Sequence, residues 1–228
     1  MGTFIPHLRD FEKNLKKEFT NTIKNRIIPI VAIGGFSGTG KDTVACFVQE
    51  YFKKNQNISL KIIGAGEFVR KIAVESGWKE RNLDEFMKHI QATQNQEFAK
   101  RVDLEIEKLV LKTALLEGGI FIGRMAPYAI GSNGITIWLE VAAHIIAKRI
   151  SNDVKRPEFG MDQKELIQRI KSRDRTDGER LEQIYGILFR DKKNFDLTLR
   201  NEGYTLEELR EMIKQFLHTK FPSSHGDT

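Results

Sequence analysis

The chain is poor in cysteine, in long apolar runs and in repeated or low-complexity segments, and each scarcity removes a class of protein. Its one cysteine, Cys46, cannot close an intramolecular disulfide, so a disulfide-stapled secreted scaffold is excluded and a reducing, cytoplasmic setting is expected. No apolar stretch approaches the roughly 20 residues that span a bilayer, which points to a soluble protein with no membrane partner. The opening stretch MGTFIPHLRDFEKNLKKEFTNTIKNR alternates charges with single apolar residues, so it lacks the unbroken apolar segment of a secretory signal. Pro6 stands where a myristoylation motif beginning at Gly2 needs Ser or Thr. The histidines, His89 and His144 among them, have no metal-ligand spacing, which gives a structural zinc no support.

What remains is an ordinary folded composition. The 228 residues fit one α/β domain with an inserted lobe, and 40% hydrophobic with 30% charged residues exclude a largely disordered chain. The net charge of +6 calls for anionic partners. Either the surface meets nucleic acid, for which the N-terminal lysines are the candidates, or the cations converge on a polyphosphate; a charge run is usually a solvated helix face, which favours the second.

Phe4, Leu8, Phe11, Leu15, Phe19 and Ile23 recur at steps of three and four, which predicts an amphipathic helix over 7–25. Residues 1–26 thus form an extension ahead of the main domain, packed on its core, docking a partner or lying on a membrane surface. IIPIVAIGG, residues 27–35, is uncharged and β-branched, as a strand covered on both faces of a parallel sheet must be, with Pro29 tolerable only near its start. ISLKII (58–63), IFIG (120–123), ITIWLE (135–140) and FDLTLR (195–200) are the other strand candidates. Helical patterns cover 41–55, 94–117, 141–151, 162–172 and 205–218, with shorter pieces at EFVRKIAVESG and NLDEFMKHI. Strands alternating with helices specify an α/β fold with a parallel sheet. The stretch 151–190 is charged and rich in arginine, and reads as a mobile lobe.

Gly35-Phe36-Ser37-Gly38-Thr39-Gly40-Lys41-Asp42-Thr43 has the G-x-x-x-x-G-K core of a phosphate-binding loop, and it lies where such a loop must, after a buried strand and before a helix. Its glycines let the backbone amides of Gly35, Ser37, Gly38, Thr39 and Gly40 turn inward around a polyphosphate. The helix N-terminus adds its positive end, and Lys41 reaches the β and γ phosphates of ATP. Asp42 replaces the usual Ser or Thr, and the hydroxyl comes one place later at Thr43. A carboxylate there is tolerable facing Mg²⁺ through water, with Thr43 a second candidate ligand, or as a carboxylate at the helix start favoured by the dipole.

With these features, the chain resembles the nucleoside monophosphate kinases, most closely the archaeal-type cytidylate kinases and their cytidylate kinase-like relatives. The resemblance covers roughly residues 28–215 and rests on GFSGTGKDT (35–43), GAGEFVR (64–70), IGRMAPY (122–128), and RDRTDGERLEQIYGI (173–187) followed by FDLTLRN (195–201). It implies a three-layer P-loop NTPase fold with a five-stranded parallel sheet, a helical acceptor-binding insertion at about 64–93, an Arg-rich lid at about 151–182, and a flexible tail at 221–228. It places Gly66, Arg70 and Arg124 on the acceptor phosphate, where two guanidinium forks suit a dianion. Arg173, Arg175 and Arg180 become lid cations over the transferring group, oriented by Asp174 and Asp177, and Arg149 matches a position that stacks on adenine. Tyr185, Ile187 and Phe195 are read as packing. The implied activity is ATP- and Mg²⁺-dependent phosphorylation of a small nucleotide acceptor, CMP or dCMP favoured. Met125, where many bacterial relatives carry an acidic residue, and Glu67, one methylene longer than the commoner acid, leave the acceptor open. Dephospho-coenzyme A kinase, a kinase for another alcohol, and a catalytically weak nucleotide- or nucleic-acid-binding regulator are the alternatives. Oligomeric state is not legible.

Overall fold

The computed structural model describes residues 2–78, 86, 96–154, 159–187 and 191–222. Five strands form one parallel sheet: β1 (Ile30–Gly35), β2 (Ile62–Gly64), β3 (Gly119–Ile122), β4 (Ile135–Glu140) and β5 (Leu197–Arg200), in the order β2-β3-β1-β4-β5. Side chains alternate along β1. Ile30 and Ala32 join the core on one face, and Val31 and Ile33 join the core on the other. A strand covered on both sides cannot afford polar residues, which is why all six residues of β1 are buried. Pro29 lies just before β1 and its carbonyl accepts the Gly119 amide at 2.8 Å, so its missing N–H costs the ladder nothing.

One face carries α3 (Lys41–Asn55) and α9 (Leu206–Lys220), through Val44, Val48, Phe52, Leu209, Ile213 and Leu217. The other carries α4 (Ala65–Glu75), α5 (Gln96–Glu117) and α6 (Ala126–Ile130). Beside the sheet, α7 (Ala143–Ser151) packs Ile146, Ala147 and Ile150 against Leu166, Ile167 and Ile170 of α8 (Gln163–Tyr185).

Three expectations are corrected. The segment 7–25 is not one helix: a 3₁₀ turn at Pro6–Leu8 leads into α1 (Arg9–Glu18), the backbone breaks at Phe19, and α2 (Thr20–Asn25) follows. At the break the Thr20 hydroxyl donates back to the Lys16 carbonyl at 2.7 Å, a bond that competes with the regular helical ladder. The second strand is shorter and later than 58–63. Asn57 is left-handed at φ 52°, the Ile58 amide bonds to Phe52 O, and Leu60 O accepts from Gln49 Nε2, so pairing begins only at Ile62. The helix expected over 162–172 instead runs to Tyr185. Asp162 caps its start by accepting from the Lys164 and Glu165 amides, and left-handed Gly186 closes its end. Apart from Phe86, the expected helix NLDEFMKHI lies outside the described residues, as do residues 223–228 of the expected tail.

The N-terminal extension packs on the core. Ile5 and Leu8 are fully buried, and α1 and α2 lie against α5. The residues before α1 are fastened to α6 and the turn after it: Phe4 N donates to Tyr128 O at 2.9 Å and Ser132 N to Gly2 O at 3.1 Å. Within the extension, Glu12 accepts the Thr3 amide at 2.7 Å and pairs with Lys16. Burial pushes the Glu12 carboxyl up, but the Lys16, Thr3 and Asn133 bonds together hold it below its ordinary value.

Glu107 on α5 is the opposite case. It shares the core-facing side of the helix with Asp103, Val110 and Ala114, while Arg101, Glu105 and Lys112 face solvent. It is 6% exposed, and its Oε2 has no hydrogen-bond partner among the described residues. Burial first, and the nearby Asp103 carboxylate second, push it up to about 8. The unfolded chain therefore loses this proton from about pH 4.5 while the folded chain keeps it to about pH 8, so stability falls as pH rises through that window. Replacing Glu107 by neutral Gln removes this term. Thermal denaturation of Glu107→Gln and wild type at pH 5, 7 and 9 should show the variant's relative melting temperature rising with pH; a constant difference refutes the assignment.

Candidate active site

Because all strands are parallel, their C-terminal ends share one edge. Register keeps those ends level: Gly64 pairs with Ile122, Gly35 with Leu139, and Glu140 with Arg200. β1 lies at the centre, between β3 and β4, so the loop that leaves it opens into the crevice where the chain order reverses.

That loop is the glycine-rich segment, and its shape depends on left-handed backbone. Gly38 (φ 78°) and Gly40 (φ 88°) hold conformations that side chains resist. Space forbids a side chain as well: a Cβ on Gly40 would lie 2.5 Å from Asn201 Nδ2, and one on Gly38 would lie 2.6 Å from Ile146 Cγ2. Gly40 is the N-cap of α3 and offers no side-chain cap, so the amides of the first turn remain directed at the crevice, as an anion site requires. Thr39, only 1% exposed, donates its hydroxyl to Phe36 O at 2.8 Å and braces the loop from inside.

Lys41 Nζ donates to Gly35 O at 3.0 Å and Phe36 O at 2.7 Å, spanning the loop it is to serve. Asp42 is the second residue of α3 and exposed, and Thr43 follows it half-buried. Arg149 reaches across from α7, donating to Asn201 O at 2.7 Å and, over a longer 3.4 Å, to Gly38 O. Arg124, two residues beyond β3, is half-buried, with its guanidinium over the Phe36 ring at 5.1 Å. Arg70 is exposed on α4, the helix that begins where β2 ends. At Gly66 in the same helix an added Cβ would meet nothing within 4 Å among the described residues.

Arg175 is exposed on α8, and half-buried Asp174 lines a cavity of about 130 Å³ with Phe36, Thr39, Trp138, Glu140 and Ile146. The side chains of Arg173, Asp177 and Arg180 lie outside the described ones; their backbone belongs to α8. The structure therefore gathers the loop, Lys41, Arg124, Arg149 and Asp174 at one edge. Tyr185 is 1% exposed, and Phe195 stacks on Trp138 at 5.0 Å with 14° between the rings, both in packing positions.

The site also holds a residue that sequence reasoning did not single out. Asn201, at the end of the FDLTLRN motif, is 8% exposed; its amide N–H donates to Glu140 O at 2.9 Å and its side chain to Thr39 O at 2.7 Å. It ties the β5 exit to the phosphate loop across 162 residues of sequence, a separation no local pattern encodes.

With this geometry in place, the similarity to known proteins becomes informative. The profile of the cytidylate kinase-like family matches residues 30–203, which takes in β1, the loop and Asn201. The chain belongs to the cytidylate kinase-like family. This kinase is 29% identical to the cytidylate kinase of Methanocaldococcus jannaschii over 81% of its own length and 94% of that protein. It is 28% identical to the cytidylate kinase of Sulfurisphaera tokodaii, covering 83% and 95%. An uncharacterized protein from Eubacterium ventriosum shares the fold of the kinase, with a TM-score of 0.58 at 17% identity over 84% of this chain and 98% of that one. The family match leaves the N-terminal extension and α9 of the kinase outside it.

In the kinase, Asn201→Ala removes the one side-chain bond to the loop carbonyl at Thr39 and leaves a buried acceptor unmet, a loss of about 1–3 kcal/mol. The expected outcome in steady-state kinetics is a KM for ATP raised by about tenfold, with a smaller change in the acceptor KM. An unchanged KM for ATP would show that the loop holds its shape without Asn201.

Proposed function

We propose that this protein transfers the γ-phosphoryl group of ATP, in the presence of Mg²⁺, to a nucleoside monophosphate, with CMP or dCMP as the acceptor. The observation that carries the reading is the meeting, at one sheet edge, of a phosphate loop with left-handed glycines and of arginines from separate segments, in a chain of the cytidylate kinase-like family. The amides of the loop and Lys41 hold the triphosphate. Lys41 exchanges its bonds to Gly35 O and Phe36 O for phosphate oxygens. Arg70 and Arg124 grip the acceptor phosphate, for which open space at Gly66 leaves room. Arg173, Arg175 and Arg180 supply positive charge around the transferring group when α8 closes, and water is kept from it. Arg149 stacks on adenine in this reading, supported by its exposure and its bonds to Asn201 O and Gly38 O beside the loop.

The residues beside Lys41 suit a hard cation. A carboxylate at Asp42 and a hydroxyl at Thr43 provide oxygen ligands, and Mg²⁺ takes few from protein when phosphates and waters complete its shell. When bound it neutralises the oxygens between which charge moves. Asp42, through water, and Thr43 are the residues that would hold it.

A coupled ADP-release assay over CMP, dCMP, UMP, AMP, dTMP and dephospho-coenzyme A tests the acceptor. Stimulation by CMP or dCMP above the others is expected, and stimulation by dephospho-coenzyme A alone overturns the nucleotide reading. Lys41→Ala should lower turnover by at least about a hundredfold while circular dichroism shows the fold retained, as expected for loss of a charge that stabilises the transferring group. Arg124→Ala should also abolish turnover at ordinary acceptor concentrations by raising the acceptor KM; a wild-type acceptor KM in that variant removes Arg124 from the site.

A further inference from the structure

We propose that Phe36, the second residue of the phosphate loop, is a positioning residue for Arg124. The proposal deepens the reading above and rests on its placing of Arg124 at that phosphate. Phe36 is only 6% exposed although it lies in a loop at the mouth of the crevice. Its ring is fixed from below by Trp138, which meets it edge to face at 5.9 Å and 85°. Trp138 is itself 1% exposed, stacked on Phe195 and packed at 6.1 Å against Tyr128. The Arg124 guanidinium lies 5.1 Å from the centre of the ring so held.

An aromatic ring carries negative charge on its face, so it attracts a guanidinium and fixes its plane. Arginine otherwise has many rotamers to lose on gripping a phosphate. A guanidinium held over a fixed ring has surrendered part of them in advance. An aliphatic residue at position 36 could fill the same space but would offer no charged face.

The backbone of Phe36 belongs to the donor side. Its carbonyl accepts both Lys41 Nζ at 2.7 Å and Thr39 Oγ1 at 2.8 Å. One residue therefore bonds the donor-site lysine through its main chain and orients the acceptor-site arginine through its side chain.

Two measurements test this on the full-length protein. The first is modification of Arg124 by phenylglyoxal without substrates, followed by peptide mass spectrometry in wild type, Phe36→Leu and Phe36→Tyr. Labelling several-fold faster in the leucine variant and at the wild-type rate in the tyrosine variant is expected; equal rates in all three overturn the proposal. Should Phe36→Leu fail to fold, ring-fluorinated phenylalanine at position 36 drains the face of negative charge at nearly constant shape, and labelling must then quicken with each fluorine. The second is steady-state kinetics with CMP and ATP. Phe36→Leu should raise the CMP KM by about three- to tenfold, the range set by a partly desolvated cation on an aromatic face. Its KM for ATP should stay within about twofold, and Phe36→Tyr should restore both. A raised KM for ATP with an unmoved CMP KM would mean that Phe36 only shapes the loop. Wild-type protein inert toward CMP would refute the acceptor reading instead, and the labelling rates would still decide the role of Phe36.

Discussion

The left-handed turn after β1 is the constraint on which the rest of this molecule depends. A strand buried on both faces has to release its chain at the sheet edge, and here it does so through backbone that only glycine holds without strain. That release points the first-turn amides of α3 into the crevice and leaves no volume for a side chain at Gly40, where Asn201 fills the space. Side chains from elsewhere then meet it because the parallel sheet brings later segments to the same edge: Arg124 after β3, Arg149 after β4 and the neutral Asn201 after β5.

Beneath the loop lies an aromatic layer. Phe36, Trp138, Phe195 and Tyr128 pack edge to face or stacked, so the loop rests on rings instead of on flexible aliphatics. Tyr128 links this layer to the N-terminal extension, whose Phe4 amide and Thr3 hydroxyl both reach its carbonyl. The extension, which lies outside the family match, thereby buttresses the short helix that follows Arg124. A segment that reads as an accessory helix is continuous with the support of the site.

Charge in the interior is handled in two contrasting ways. Glu12 is buried with an ammonium and a backbone amide as partners and keeps its charge. Glu107 is buried with an unpartnered oxygen and an acidic neighbour, and keeps its proton instead. The same side chain type takes opposite forms because bonds to the ionised carboxylate outweigh burial in one case and are missing in the other. Nothing in the spacing of either glutamate signals this difference.

Sequence alone determined the order of strand, glycine loop and helix, the parallel α/β class, and the glycine-turn form of residues 35–43, because these depend on local backbone preferences and on periodicity within a few residues. It also marked Arg124 and Arg149 by motif. It misjudged what depends on capping and competition: the break at Phe19, the late start of β2, and the extent of α8, fixed by Asp162 and Gly186 at its two ends. Only the tertiary structure decided that Asn201 bonds the loop at Thr39, that the Arg124 guanidinium lies over the Phe36 ring, and that burial raises the Glu107 carboxyl. Each of these joins or isolates groups across elements, and such pairing exists only once the sheet has brought distant strand ends level and packing has removed the water between them.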